Sequence, residues 1–265
     1  MEGGRCIVKI IDTNVYYGRW PFRKCGEEDF SLIRSRCNKN GVDGMLVSSV
    51  NAIFYEDPFE AEVQLHNAIK DEKNVRHVMS VNPFASGWES DVRTAVEEFN
   101  VCALKVFPGY HGYSLQGPEI AKVCEAAGKY DLPIILAACV EDVRVTYMMR
   151  QTPIPMDKLG VFLGTYRDNT IVLSNLSFGE TMGLRPNILS RDKVYVDMAG
   201  FKFISFPIEK LLKVYPKEMF LFGSQCPLYV QKSILNEVIR EKLPDDVKQA
   251  ILYDNAIGVF RLGES

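Results

Sequence analysis

Four side chains combine acid–base or electrostatic chemistry with a place at or just beyond the end of a predicted strand. They are Asp12, Lys105, His111 and Asp197. Lys105 ends the apolar strand 101–105, where an unpaired charge costs on the order of several kcal/mol. Such a lysine either extends its amine to the mouth of the strand or serves in binding chemistry. Because Tyr110, His111 and Tyr113 follow directly, we favour the binding interpretation.

Each of these four residues has a defined task in carbonyl chemistry. Lys105 would polarise a carbonyl or bind a carboxylate, and His111 would be the general acid–base. Asp12 or Asp197 would orient His111 or activate a water molecule. The structural alternatives are that Asp12 accepts backbone hydrogen bonds in a loop and that Asp197 belongs to the scaffold.

Neutral polar side chains near other predicted strand ends complete the candidate site. Amides, hydroxyls and phenols hold a polar organic ligand by hydrogen bonds without supplying a strong base. The predicted substrate-binding residues are Asn14, Tyr110, Tyr113, Asn175, Ser224 and Gln225. Trp20 and Phe22, in the loop after the first strand, are either a lid over the ligand or packing beneath that loop.

Strand and helix patterns alternate along the whole chain. The predicted strands are 6–14, 44–50, 75–81, 101–105, 132–138, 170–176, 194–198 and 219–224. The predicted helices are 27–40, 59–72, 88–99, 118–130, 143–149, 158–166, 227–241 and 245–260. Eight strands alternating with helices over 265 residues predict a single (β/α)8 TIM barrel that occupies residues 1–265. A doubly wound open sheet is the alternative, but the first strand is not followed by its G-x-G-x-x-G motif.

Composition excludes several classes of partner. Apolar residues make up 47% and charged residues 25% of the chain, as in soluble globular proteins. The 31 basic and 34 acidic residues form no basic block, so we expect neither nucleic acid nor a membrane as partner. Seven scattered cysteines and no signal-peptide pattern predict a reduced, cytoplasmic protein. Phe201, Phe203 and Phe206 form an apolar cluster that would suit a homo-oligomer interface or a pocket wall.

Six stretches together resemble a known family. They are IIDTNVYYGRWPFR, ALKVFPGYHGYSL, LPIILAACVED, TIVLSNLSFGE, MFLFGSQCPL and ILYDNAIGVFRL. The chain is similar to the amidohydrolase-related family, the "amidohydrolase 2" branch of metal-dependent TIM-barrel hydrolases and decarboxylases. This resemblance implies a metal site built from His-x-His after the first strand, histidines near the fifth and sixth strands, and an aspartate after the eighth.

Transferred to this sequence, the ligand positions hold other residues. The His-x-His pair falls on Asp12 and Asn14, and the fifth-strand histidine falls at Ala137 or Ala138. The sixth-strand histidine falls at or near Asn175, and the aspartate falls on Gln225. Neutral amide oxygens are poor zinc ligands. We therefore expect no metal or other cofactor, although a weakly bound divalent cation at Asp12 is compatible with the sequence.

Two functional hypotheses follow. The first is a metal-independent hydrolase of a C–N or C–O bond in a small polar carbonyl compound; the resemblance also admits decarboxylase or lactonase chemistry. Metal-free lactone hydrolases of the wider family use the eighth-strand aspartate, a role that Gln225 cannot fill. The second hypothesis is a catalytically inactive, ligand-binding or regulatory pseudoenzyme on the same barrel.

Overall fold

A barrel of eight parallel strands organises the molecule. The computed structural model describes residues 9–24, 29–142, 144–145, 149, 151–202 and 204–263. In these ranges the strands pair in sequence order. They are β1 (Ile11–Tyr17), β2 (Gly44–Ser49), β3 (Val75–Val81), β4 (Ala103–Val106), β5 (Ile134–Ala137), β6 (Ile171–Ser174), β7 (Val194–Asp197) and β8 (Phe220–Leu221). The predicted (β/α)8 barrel is confirmed.

The sheet closes between its first and last strands. Val15 pairs with Cys226 in a parallel bridge. The Thr13 N–H donates to the Phe222 carbonyl at 2.9 Å, and the Gln225 N–H donates to the Asn14 carbonyl at 2.8 Å. A doubly wound sheet would leave two unpaired edges, so these contacts exclude the open-sheet alternative.

Helices surround the strands and cover their outer faces. They are α1 (Phe30–Lys39), α2 (Pro58–Ile69), α3 (Trp88–Glu98), α4 (Pro108–His111), α5 (Pro118–Lys129), α6 (Met156–Thr165), α7 (Phe178–Gly183), α8 (Arg185–Leu189), α9 (Pro207–Leu211), α10 (Gln231–Ile239), α11 (Asp245–Gln249) and α12 (Asn255–Phe260). None of the helices in the described part of the chain is both long and apolar enough to cross a membrane.

Several predicted boundaries differ from the structure. The first strand runs on to Tyr17, because β1 stays paired with β2 as far as Tyr17 and Ser49. The predicted helix 227–241 begins only at Gln231, and 245–260 is divided by a π-helical segment, Ala250–Asp254. Most of the predicted helix 143–149 lies outside the described residues. The short helices α4, α7, α8 and α9 were not predicted, since four to six residues give too little periodicity.

An apolar layer fills the lower barrel interior. Seven strands contribute one buried residue each, namely Ile11, Leu46, Val78, Ala103, Ile135, Val172 and Leu221. Ala256, Val259 and Phe260 of α12 pack against this layer. Because side chains alternate between the two faces of a strand, the residue two positions further along also points inward. That second layer carries the polar residues of the candidate site.

Candidate functional site

Lys105 lies at the centre of the polar layer, two residues beyond Ala103. Its side chain is 1% exposed. The ammonium donates to Asn14 Oδ1 at 2.8 Å and to Ser48 Oγ at 3.2 Å. It also lies 4.0 Å from the centroid of the Tyr16 ring, a cation–π contact. Lys105 therefore carries a buried amino group that contacts two side-chain oxygens and an aromatic ring.

Burial changes the proton affinity of this lysine. Desolvation lowers the pKa of Lys105 from 10.5 to about 7, although Asp197 and Asp12 oppose the shift by attraction. Near neutral pH the group is therefore divided between its ammonium and amine forms. Such a group can stabilise negative charge in one form and accept a proton in the other.

Asp197 organises the other side of the polar layer. Its Oδ2 accepts from Asn14 Nδ2 at 2.9 Å and from Ser174 Oγ at 2.6 Å. Its Oδ1 accepts from the backbone N–H groups of Asn175 and Ala199, each at 3.0 Å. Four donors use the lone pairs that a carboxylate offers. Asp197 thus holds Asn14 in place and caps the turn that follows β7.

A glycine permits this close arrangement. A Cβ atom at position 223 would lie 3.0 Å from the Cβ atoms of both Asn14 and Asp197. Such distances are too short for ordinary packing. A side chain at position 223 would therefore push against Asn14 of β1 and Asp197 of β7.

Asp12 serves the seam between β1 and β8. Its Oδ1 accepts from the backbone N–H groups of Asn14 (3.1 Å) and Ser224 (3.0 Å). Its Oδ2 accepts from Ser224 Oγ and from Gln231 Nε2 at 2.7 Å. Desolvation raises the pKa of Asp12 to about 6, against the effect of these hydrogen bonds. Asp12 therefore caps the backbone of this seam, which is the structural alternative to a catalytic role.

A second lysine, Lys202, lies at the mouth of the barrel. Its ammonium donates to Gln225 Oε1 at 2.7 Å and to Asn175 Oδ1 at 3.2 Å. It also lies 3.2 Å from the centroid of the Tyr229 ring. Desolvation lowers the pKa of Lys202 to about 8, with the electrostatic effects of Cys139 and Asp197 as the chief opposing influences.

The two lysines belong to one hydrogen-bonded network. From Lys105 it passes through Asn14 to Asp197, then through the Asn175 backbone and side chain to Lys202. Sequence reasoning identified the first four of these residues but missed Lys202. The sequence signal for Lys202 was a lone lysine in the otherwise apolar segment 199–204, just beyond the predicted seventh strand.

An aromatic cap covers the polar layer. It consists of Tyr16, Trp20, Phe22, Phe54, Phe107, Tyr110 and Tyr229, with smaller apolar neighbours. The Trp20 ring lies 5.5 Å from Phe54 and 6.2 Å from Tyr110, both edge to face. Trp20 is 2% exposed. Two of these rings, Tyr16 and Phe107, lie beside the Lys105 amino group.

His111 and Tyr113 lie beside the cap, away from the polar network. The His111 ring contacts Phe107 and Tyr113 at centroid distances of 6.1 and 6.3 Å. Desolvation lowers the pKa of His111 to about 4, so the ring is neutral at physiological pH. Among the described residues no hydrogen bond joins His111 to Lys105, Asp12 or Asp197. The acid–base role of His111 stays a prediction.

The residues at the strand ends do not fit a transition metal. No group of three or more His, Cys, Asp and Glu side chains in the described ranges could hold one. Asn175 and Gln225 already accept from Lys202 and donate to the Cys139 carbonyl. Asp12 already accepts four hydrogen bonds. A metal would have to displace these contacts and approach an ammonium group.

Comparison with known proteins agrees with this architecture. The family model described as "Amidohydrolase" (Amidohydro_2) matches residues 60–262. No curated protein is similar in sequence at a significant level.

Solved structures share the fold at low sequence identity. The 5-carboxyvanillate decarboxylase of Sphingomonas paucimobilis is 12% identical, with a TM-score of 0.71 over 96% of this chain and 99% of that one. The enzyme of the same name from Novosphingobium aromaticivorans, complexed with manganese and 4-hydroxy-3-methoxy-5-nitrobenzoic acid, is 12% identical, with a TM-score of 0.73 and 98% of both chains covered. A probable 2-pyrone-4,6-dicarboxylic acid hydrolase of Acinetobacter baumannii, with citric acid bound, is 12% identical, with a TM-score of 0.71 over 96% and 100%. Since the family model spans most of the sequence, the chain belongs to the amidohydrolase family.

Proposed function

We propose that this protein is a hydrolase-type enzyme that cleaves a C–N or C–O bond in a small polar carbonyl compound without a transition metal. The observation that carries the proposal is Lys105, a buried lysine whose pKa of about 7 lies near physiological pH. Groups with such shifted pKa values are typical of functional sites. The amine would accept a proton from the attacking water, and the ammonium formed in this way would stabilise the developing oxyanion.

The surroundings favour a substrate that carries a carboxylate on a flat ring. Lys105 and Lys202 bring two positive charges to one network, and the aromatic cap offers ring faces and edges. Two structural relatives are named for carboxylated ring compounds. One relative is complexed with manganese. In this protein the positive charge of the lysines would take the place of such a metal.

The test is turnover by metal-stripped protein. Lactones, amides and aromatic carboxylic acids should be screened with chelator present, and product formation followed by liquid chromatography. We expect hydrolysis of at least one compound, and a loss of at least about 100-fold in Lys105→Met, as for removal of a charge-stabilising group. Lys122→Met, at an exposed position of α5, is the matched control. Full activity of Lys105→Met would refute the assignment.

A second candidate function is ligand binding without turnover. It is favoured by the four donors on each of Asp12 and Asp197, which leave neither of these two carboxylates free to activate water. The same compounds should then raise the unfolding temperature of the wild type without being consumed. Hydrolysis of a stabilising compound would exclude this alternative.

A further inference from the structure

The ammonium group of Lys202 has the surroundings of a bound cation. Two amide oxygens and the face of an aromatic ring surround it: Gln225 Oε1 at 2.7 Å, Asn175 Oδ1 at 3.2 Å and the Tyr229 ring centroid at 3.2 Å. An ammonium has three N–H donors, and here three acceptors are present.

The amides are fixed so that their oxygens meet this ammonium. Asn175 Nδ2 donates to the Cys139 carbonyl, and Gln225 Nε2 donates at 3.3 Å to the carbonyls of Cys139 and Val140. Both residues have left-handed backbones, with φ of 64° at Asn175 and 59° at Gln225. Non-glycine residues keep such conformations where the surroundings hold them firmly.

We propose that Lys202 is a tethered cation, which occupies the space between the ends of β6 and β8 and keeps divalent metals out of it. The lysine comes from the loop after β7, and the carbonyls that hold the amides come from the loop after β5. One ammonium therefore joins the loops of four neighbouring strands. This role is independent of whether the protein turns over a substrate.

The test uses a carboxylate placed opposite the lysine. With Lys202 present, Gln225→Asp places a carboxylate one methylene short of the Gln225 oxygen that now accepts from the ammonium, still close enough for an ion pair, so the unfolding temperature should change by less than about 2 °C. In a Lys202→Met background the same substitution leaves a carboxylate without its cation. We then expect the unfolding temperature to fall by about 5 °C or more. Millimolar manganese should restore most of that loss and leave the unfolding temperature of Gln225→Asp alone unchanged. Lys213→Met, at an exposed site just after α9, provides the control background.

Three results would overturn the proposal. The first is an equal loss of unfolding temperature from Gln225→Asp with and without Lys202. The second is an equal change of unfolding temperature on adding manganese in the two backgrounds. The third is no change on adding manganese to Lys202→Met/Gln225→Asp. If the Met variants do not fold, the wild type itself provides the test. A lysine ammonium with three acceptors should give a slowly exchanging NH3 signal in ¹H–¹⁵N spectra, assigned by its absence in Lys202→Arg. No such signal would refute the tethered cation.

Discussion

Lys105 shows how a single residue can make stability depend on pH. The folded protein lowers its pKa to about 7 from an ordinary value of 10.5. Between these values the unfolded chain holds a proton on this lysine more often than the folded chain does. The free energy of unfolding should therefore rise with pH across this window.

This leads to a prediction for Lys105→Met. Each pH unit inside the window contributes up to about 1.4 kcal/mol, so the wild type should gain about 1.9 kcal/mol more than the variant between pH 7.5 and 9. Urea unfolding at the two pH values measures the difference. Lys202 also titrates near this range but is present in both proteins, so its effect cancels. Equal gains in the two proteins would show that Lys105 keeps its ordinary pKa.

Asp12 affects the free energy of unfolding in a separate, lower pH range. Burial raises its pKa from 3.8 to about 6. The folded chain thus holds a proton there more often than the unfolded chain, and stability should fall as pH rises through this lower window. The effects of Asp12 and Lys105 can be measured without overlap.

At the scale of secondary-structure elements, the weak point of the barrel is the seam between β1 and β8. The β8 strand has only two residues, Phe220–Leu221. Side chains supplement its pairing: Gln231 of α10 donates to Asp12 and accepts from Asn40 Nδ2 at 2.8 Å. One amide thereby connects β1, α1 and α10.

Gln231→Leu should weaken this seam. The change leaves Asp12 Oδ2 with one donor fewer and Asn40 without its acceptor, which costs about 1–3 kcal/mol when such groups are buried. Urea unfolding measures the loss. Gln116→Leu is the control. Among the described residues the Gln116 side chain makes one hydrogen bond, exposed, to the Lys158 carbonyl, and losing that bond should cost less than about 0.5 kcal/mol. Equal losses in the two variants would contradict a special role for the seam.

At the scale of the whole molecule, the polar groups inside the barrel are hydrogen-bonded to other side chains of the protein. Lysines, amides and carboxylates satisfy one another across β1, β4, β6, β7 and β8. The stability of the barrel should then be independent of divalent metal.

Chelation tests this statement. Treatment with EDTA should change the unfolding temperature by less than about 1 °C, since nothing that binds only the folded state would be removed. Elemental mass spectrometry of untagged protein should find far less than one metal ion per chain. A stoichiometric metal together with a chelator-sensitive unfolding temperature would mean that other residues form a metal site.

The apolar cluster considered for oligomerisation is divided by the fold. Phe201 is 1% exposed and belongs to the core, whereas Phe206 is 54% exposed. Phe203 lies outside the described residues. A homo-oligomer remains a prediction, with Phe206 as the exposed member of the cluster.

The sequence by itself determined the barrel, because parallel strands buried on both faces must be apolar runs that alternate with amphipathic helices. It also identified Lys105, Asn14, Asp197, Asn175 and Gln225, since polar residues at the ends of apolar strands converge at one face of the barrel.

Only the tertiary structure decided how these residues are used. The pairing of Lys202 with Asn175 and Gln225 joins positions 23 to 27 residues apart, and Asp12 meets Ser224 across 212 residues. No local pattern encodes such contacts. Whether a strand-end carboxylate is free for chemistry or fully hydrogen-bonded depends on donors that strand closure and helix packing bring to it.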